Sequence, residues 1–226
     1  MLKTDLQQIL LKSKRHGWIM EPDAKRMLSD AGVPVTRFEQ ADTISGACRA
    51  AGSIGYPVVA KIISPAVIHK SDTGGVVVGI RNDQELRPVF ELFSKMPGFK
   101  GMLVEEMVSG VELIVGAQYD FQFGPVVLLG IGGTGVEIYG DTALRMAPLE
   151  SRDVTSMVGC LIGGKLLTGF RGAPVVDHQQ LTRLLLNFSE FVMALENQAE
   201  SIDLNPVMCS GDSCIVADAR IMLIGQ

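Results

Sequence analysis

Tyr56-Pro-Val-Val-Ala-Lys61-Ile-Ile-Ser-Pro-Ala-Val-Ile-His69-Lys70-Ser-Asp-Thr-Gly74-Gly75-Val is the stretch from which the rest of the chain is read. A short apolar run with the character of a buried strand carries Lys61 within it, where an unpaired charge would be costly. Thirteen residues further on come Gly74 and Gly75, a pair that lets backbone amides approach a phosphate closely. The loop between them holds His69, Lys70, Ser71 and Asp72. A strand lysine followed by a glycine turn predicts a cradle for nucleotide phosphates. His69 adds an imidazole, which titrates near neutrality and is a competent nucleophile toward phosphorus. Taken singly, each feature has an ordinary alternative: a lysine snorkelling at a strand end, a glycine pair marking a turn, an exposed loop histidine.

Outward from this stretch, the first half of the chain alternates helix and strand. Helical spacing predicts a helix over 3–16 that stops at Gly17, and a second from Asp23 to Asp30, opened by Pro22 and closed by Gly32. Val33 to Phe38 reads as an edge strand, since Pro34 cannot donate to a ladder. Asp42 or Thr43 caps a third helix ending near Gly55. Strands over 57–63 and 75–80 follow, then a helix from Asn82-Asp83 to about Lys95. Past Gly101 the texture changes to strand-like runs separated by short Gly, Asp and Pro turns, which predicts an antiparallel sheet. Ser151 caps a helix with Asp153 in its first turn, and another opens at Asp177 or His178. Ser201 to Met208 and Ile215 to Leu223 read as the closing strands. The expected architecture is α+β, two lobes sharing a cleft.

Composition narrows the class. A chain of 226 residues with 47% apolar residues and 25 glycines suits an α/β protein with many tight turns. A net charge of −5, without a basic stripe, argues against a nucleic-acid partner. No apolar run reaches the roughly 18 residues a membrane helix needs, and the opening residues lack a signal-peptide core. Cys48, Cys160, Cys209 and Cys214 have no CxxC spacing, so a reducing cytoplasm is expected. Cys209 and Cys214 flank Ser-Gly-Asp-Ser and are expected to be reduced residues across a hairpin.

Several other residues are candidates for chemistry. Glu105 and Glu106 end an apolar strand and point to opposite faces, so one can face a cleft; Glu112 opens the next strand. Solvated strand ends are the alternative. Asn205 and Asp218 offer hard oxygen ligands that suit Mg²⁺, on two consecutive strands, with Asp203 a possible third. An Asn-Pro turn is the alternative there. Gly130-Ile-Gly-Gly-Thr-Gly-Val is a second glycine-rich loop that opens no helix, and Arg145 is a candidate counter-charge for phosphate.

In order, these segments resemble the ATP-grasp subunit (beta chain) of the ADP-forming acetate–CoA ligases, also called NDP-forming acyl-CoA synthetases. The matching pieces begin with Gly55-Tyr-Pro-Val-Val-Ala-Lys-Ile, Ser64-Pro and His69-Lys-Ser-Asp-Thr-Gly-Gly-Val. Val104-Glu-Glu-Met-Val, Glu112-Leu-Ile-Val-Gly, Asp120-Phe-Gln-Phe-Gly-Pro-Val-Val and Gly130-Ile-Gly-Gly follow. Val136-Glu-Ile, Arg145-Met-Ala-Pro-Leu, Ile202-Asp-Leu-Asn-Pro and Val216-Ala-Asp-Ala-Arg complete the series. The glycine loop departs at Thr134-Gly135, where the family usually has bulkier residues.

The resemblance implies an ATP-grasp fold with nucleotide between two lobes: an N-terminal helix over 1–21 packing on the larger lobe, a small lobe over 22–106 and a large lobe over 107–226. It implies that Lys61 contacts the nucleotide phosphates and that Gly74-Gly75 close over them. Glu105, Glu106 and the main chain through Val108 would hold adenine, with Glu112 on the ribose. Asn205 and Asp218 would hold Mg²⁺, and Arg145 would serve catalysis. The implied reaction is acyl-CoA + ADP + phosphate ⇌ acid + CoA + ATP. In it His69 relays a phosphoryl between ATP/ADP and a phosphohistidine on a separate CoA-binding alpha subunit, in an alpha2beta2 assembly. A non-catalytic nucleotide sensor and an ATP-grasp carboxylate–amine ligase are the competing classes; neither has a use for a relay histidine.

Overall fold

The computed structural model describes residues 3–133, 140–172, 175–195 and 198–225. In chain order it opens with α1 (Lys3–Lys14), β1 (Trp18–Ile19), α2 (Glu21–Asp30), β2 (Phe38–Ala41) and α3 (Ile44–Ile54). Then come β3 (Val58–Ile63), β4 (Val76–Ile80), α4 (Asp83–Ser94) and β5 (Gly101–Glu106). β6 (Val111–Asp120), β7 (Gly124–Ile131), β8 (Thr142–Met146) and α5 (Ser151–Cys160) follow, with a 3-10 helix over Ile162–Leu167. α6 (His178–Leu195), β9 (Ala199–Ser210), β10 (Ser213–Val216) and β11 (Arg220–Leu223) close the chain. The Thr134-Gly135 departure and the Val136–Ile138 segment lie outside the described residues. No described helix is long and apolar enough to cross a membrane.

The chain divides into two units, residues 36–108 and residues 1–35 with 109–226. The boundary expected after residue 21 therefore falls after Val35. The reason is α2, which buries Ala24, Met27 and Leu28 in the same core as α6 and the large sheet.

The smaller unit is a four-stranded antiparallel sheet in the order β2-β5-β3-β4. Its helices are set locally. Thr43 caps α3 by accepting from Gly46 N, and Asn82 caps α4 by accepting from Glu85 N. The core of this unit joins Ala47, Ala51 and Ile54 of α3 and Leu86, Phe90 and Phe93 of α4 to Val58, Ala60, Ile62, Met102 and Val104. Period-2 alternation puts Val59, Lys61, Leu103 and Glu105 on the opposite face of the sheet. The edge strand begins at Phe38 and not at Val33; Val35 makes only an isolated bridge to Val216 in the larger unit.

The larger unit is an antiparallel sheet in the order β1-β11-β9-β6-β7-β8, with β10 also on β9. β6 shows why one face is covered: Val111, Leu113, Val115 and Ala117 are buried, while Glu112 and Gln118 are exposed. α5 and α6 cover that face with Val154, Met157, Leu184, Leu185, Phe188 and Val192. α5 is capped by Glu150, one residue before the expected Ser151; the Asp153 carboxylate accepts from Glu150 N at 2.8 Å.

β10 and β11 were expected as one strand, and their register is continuous: Val216 faces Val207 and Arg220 faces Asp203. The break between them has a cause in Pro206. Ala217 N donates to Pro206 O at 2.9 Å, but proline has no N–H to return the bond.

Cys209 and Cys214 lie directly opposite each other on β9 and β10, both buried and free. A hydrogen bond shared with Cys214, and then burial, push the Cys209 thiol far above the usual thiol range. Iodoacetamide at pH 8 is expected to alkylate exposed Cys160 in the native protein and Cys209 only after denaturation. Peptide mapping checks this, and label on native Cys209 would contradict the closed hairpin.

Candidate functional site

In the smaller unit Lys61 is 6% exposed, so it is no snorkelling strand end. Its Nζ lies 3.3 Å from Glu105 Oε1. Register explains the pair: Glu105 is opposite Val59, two residues from Lys61 on the same face. Glu105 Oε2 accepts from Thr36 Oγ1 at 2.9 Å, and both residues are buried. Glu106 turns to the other face, where its carboxylate takes Arg37 Nε at 2.6 Å and Arg37 N at 2.7 Å. Two adjacent carboxylates expected as nucleotide contacts thus hold a lysine and an arginine. Val108 lies half-buried just past the end of β5.

The loop from Ser64 to Gly75 joins β3 to β4 and leaves His69 exposed. Thr73 Oγ1 donates to the carbonyls of His69 (3.2 Å) and Lys70 (3.1 Å). Gly74 has φ +71°, the left-handed region that glycine enters without strain. Gly75 is required by close approach, because a Cβ there would lie 2.7 Å from Ile62 Cγ2. Gly75 N donates to Lys70 O at 2.7 Å and Gly74 N to Ser71 O at 3.3 Å. In this conformation both amides close the turn that presents His69.

In the larger unit the open face of the sheet, away from α5 and α6, carries Glu112, Gln118, Asp203 and Asn205. A groove of about 530 Å³ runs over that face, lined by Ile114, Phe123, Val126, Leu128, Leu144 and Asp203 among others. Glu112 is exposed, and its carbonyl accepts from Gly132 N at 2.6 Å. A Cβ on Gly132 would sit 2.9 Å from Glu112 Cβ, so the glycine loop starts against that residue.

Arg145 lies elsewhere. It is opposite Val127, on the helix-covered face with Ala143, and its Nη2 donates to Ser156 Oγ of α5 at 2.6 Å. Strand alternation thus sets it on the other face from Asn205, where it ties β8 to α5.

Asp218 sits in the break between β10 and β11, not on a strand as expected. The register on both sides of the break, Val207 with Val216 and Asp203 with Arg220, sets Asn205 opposite Asp218. Asp203 is committed to Arg220 Nη2 at 3.1 Å, so the expected third ligand is a partner of arginine. An amide oxygen and a carboxylate, one exposed and one half-buried, fit Mg²⁺, which keeps several waters. Among the described residues no three His, Cys, Asp or Glu side chains converge into an all-protein metal cage.

Sequence reading missed Glu21 and Lys25, a wholly enclosed pair on α2 with Nζ 3.2 Å from Oε1. The signal was present: the two are at i and i+4, in line with buried Leu28.

A model of the ATP-grasp domain matches residues 10–223. The acetate–CoA ligase [ADP-forming] I subunit beta of Pyrococcus furiosus is 37% identical over 96% of this chain and 97% of its own length. The chain belongs to the ATP-grasp beta subunits of the ADP-forming acetate–CoA ligases. Longer relatives match as well: the 4-hydroxybutyrate–CoA ligase [ADP-forming] of Nitrosopumilus maritimus is 35% identical over 94% of this chain but only 32% of its own length. Among solved structures, acetyl-coenzyme A synthetase 1 of Ca. Korarchaeum cryptofilum is 37% identical, with TM-score 0.85 over 96% of this chain and 99% of that one. That structure is described as a complex with coenzyme A and Mg-AMPPCP, its phosphohistidine segment pointing towards the nucleotide binding site.

Proposed function

We propose that this chain is the nucleotide-binding subunit of an ADP-forming acyl-CoA synthetase, and that His69 passes a phosphoryl group between a partner's phosphohistidine and ADP. The observation that supports this most is the loop of His69: an exposed imidazole on a turn held by its own backbone bonds, following the strand that carries Lys61. An imidazole nitrogen of His69 attacks the phosphorus, and the P–N bond to the partner's histidine breaks as the bond to His69 forms. A β-phosphate oxygen of ADP then attacks the same phosphorus, a P–O bond replaces the P–N bond, and His69 is released. Such transfers depend on positioning and charge neutralisation. Lys61, oriented by Glu105, supplies positive charge toward the phosphates. Asn205 and Asp218 would hold Mg²⁺, which neutralises charge on phosphate oxygens when bound.

The net reaction is acyl-CoA + ADP + phosphate ⇌ acid + CoA + ATP. A CoA-binding alpha subunit would supply the acyl and CoA sites, in an alpha2beta2 assembly in the cytoplasm. The longer relatives support this division, since the match covers 32% of the length of the 4-hydroxybutyrate–CoA ligase.

Labelling with γ-labelled ATP and Mg²⁺ tests the relay. Acid-labile, base-stable label mapping to His69 is expected. Label on another residue, or none when the partner is also present, sinks the proposal. The double variant Lys61→Met/Glu105→Gln, which leaves neither charge of the buried pair behind, is expected to weaken ADP binding about 10- to 100-fold, the loss of about 1.5–3 kcal/mol from one charged hydrogen bond. Calorimetric titration reads it, and unchanged affinity would refute the phosphate contact.

A further inference from the structure

We propose that Lys25 is a positioning residue that holds Asp218 opposite Asn205 for a divalent cation; this rests on the metal reading above. In an antiparallel ladder, a hydrogen-bonded pair exchanges two N–H···O bonds. Ala217 and Pro206 form such a pair with only one of them, Ala217 N to Pro206 O at 2.9 Å. The second cannot form, because Pro206 has no N–H. Its acceptor, Ala217 O, is taken instead by Lys25 Nζ at 2.8 Å, from a helix 192 residues earlier in the chain.

The ammonium thus supplies the ladder bond that the proline lacks, at the peptide group that joins Ala217 to Asp218. Without it, the Ala217 carbonyl would lose the bond that stands in for the missing ladder bond, at the peptide next to Asp218. Glu21 makes this compatible with a cation site nearby. Its carboxylate, 3.2 Å from Nζ, neutralises the buried ammonium, so the pair adds a donor without adding net charge. Both side chains are enclosed, at 0% and 4% exposure, which fixes the donor's place.

Groups that orient metal ligands from behind alter metal affinity by about 10- to 100-fold when removed. The test is the double variant E21Q/K25M, since replacing a buried ion pair by neutral groups of similar size is often tolerated by the fold. Mn²⁺ affinity is read by electron paramagnetic resonance in the presence of saturating ADP, beside ADP affinity without metal and the circular dichroism spectrum. The expected result is Mn²⁺ affinity about 10- to 100-fold weaker, with metal-free ADP affinity and the spectrum unchanged.

D218N separates the two readings. If D218N weakens Mn²⁺ binding and E21Q/K25M does not, the role of Lys25 is overturned while the metal site stands. If neither changes it, the metal site falls as well. Should E21Q/K25M not fold, hydrogen exchange on the wild type decides. The Ala217 amide is expected to be protected without metal, and an amide that becomes protected only on adding Mn²⁺ would overturn a preset site.

Discussion

Glu105→Ala is expected to unfold the smaller unit under conditions where the wild-type protein is intact. The carboxylate lies 1% exposed, with Lys61 Nζ at 3.3 Å and Thr36 Oγ1 at 2.9 Å. Truncation removes the counter-charge from an ammonium that is itself only 6% exposed. Breaking a buried pair in this way costs about 3–5 kcal/mol, because the remaining charge keeps its desolvation penalty and loses this carboxylate. Against a domain stability of about 5–15 kcal/mol, that is a large share. The loss should be local. Amide exchange should accelerate across residues 36–108, while fluorescence of Trp18, the single tryptophan and a core residue of the larger unit, keeps its native value. Glu105→Gln keeps an acceptor for Thr36 and is expected to lose less. Exchange in residues 36–108 unchanged in Glu105→Ala would show that the carboxylate is dispensable to the fold.

That pair also marks where the sequence stops being legible. The elements with local causes were readable: Thr43 and Asn82 cap their helices within three residues, and alternation along β6 gives its buried face directly. Lys61 was readable as a charge needing a partner. Which carboxylate answers it depends on the register of β3 against β5, where one residue of slip would exchange Glu105 for Glu106. The position of Arg145 depends on register in the same way. Its residue type suits phosphate, but the face it occupies follows from its pairing with Val127.

The break before Asp218 was hidden differently. Ile215 to Leu223 contains no glycine or proline; the proline that interrupts the ladder is Pro206, on the other strand. Gly74 and Gly75 are required by backbone conformation and close approach, and their amides serve the turn. A glycine signals close approach or positive φ without saying to what.

His69→Ala is expected to abolish the complete synthetase cycle, by a factor of at least about 10³, while ADP affinity changes less than about twofold. The asymmetry follows from where the residue sits. His69 is exposed, and the turn that carries it is closed by backbone bonds and by Thr73. Covalent relay divides one difficult transfer into two easier ones. Turnover with the partner subunit reads the first effect, and calorimetric titration of ADP reads the second. His69→Asn, which keeps polarity but cannot carry the phosphoryl group, should be as inactive as alanine. If His69→Ala turns over normally with its partner, phosphoryl transfer bypasses this loop. If instead both turnover and ADP affinity collapse together, His69 acts in binding, and the relay must be sought elsewhere.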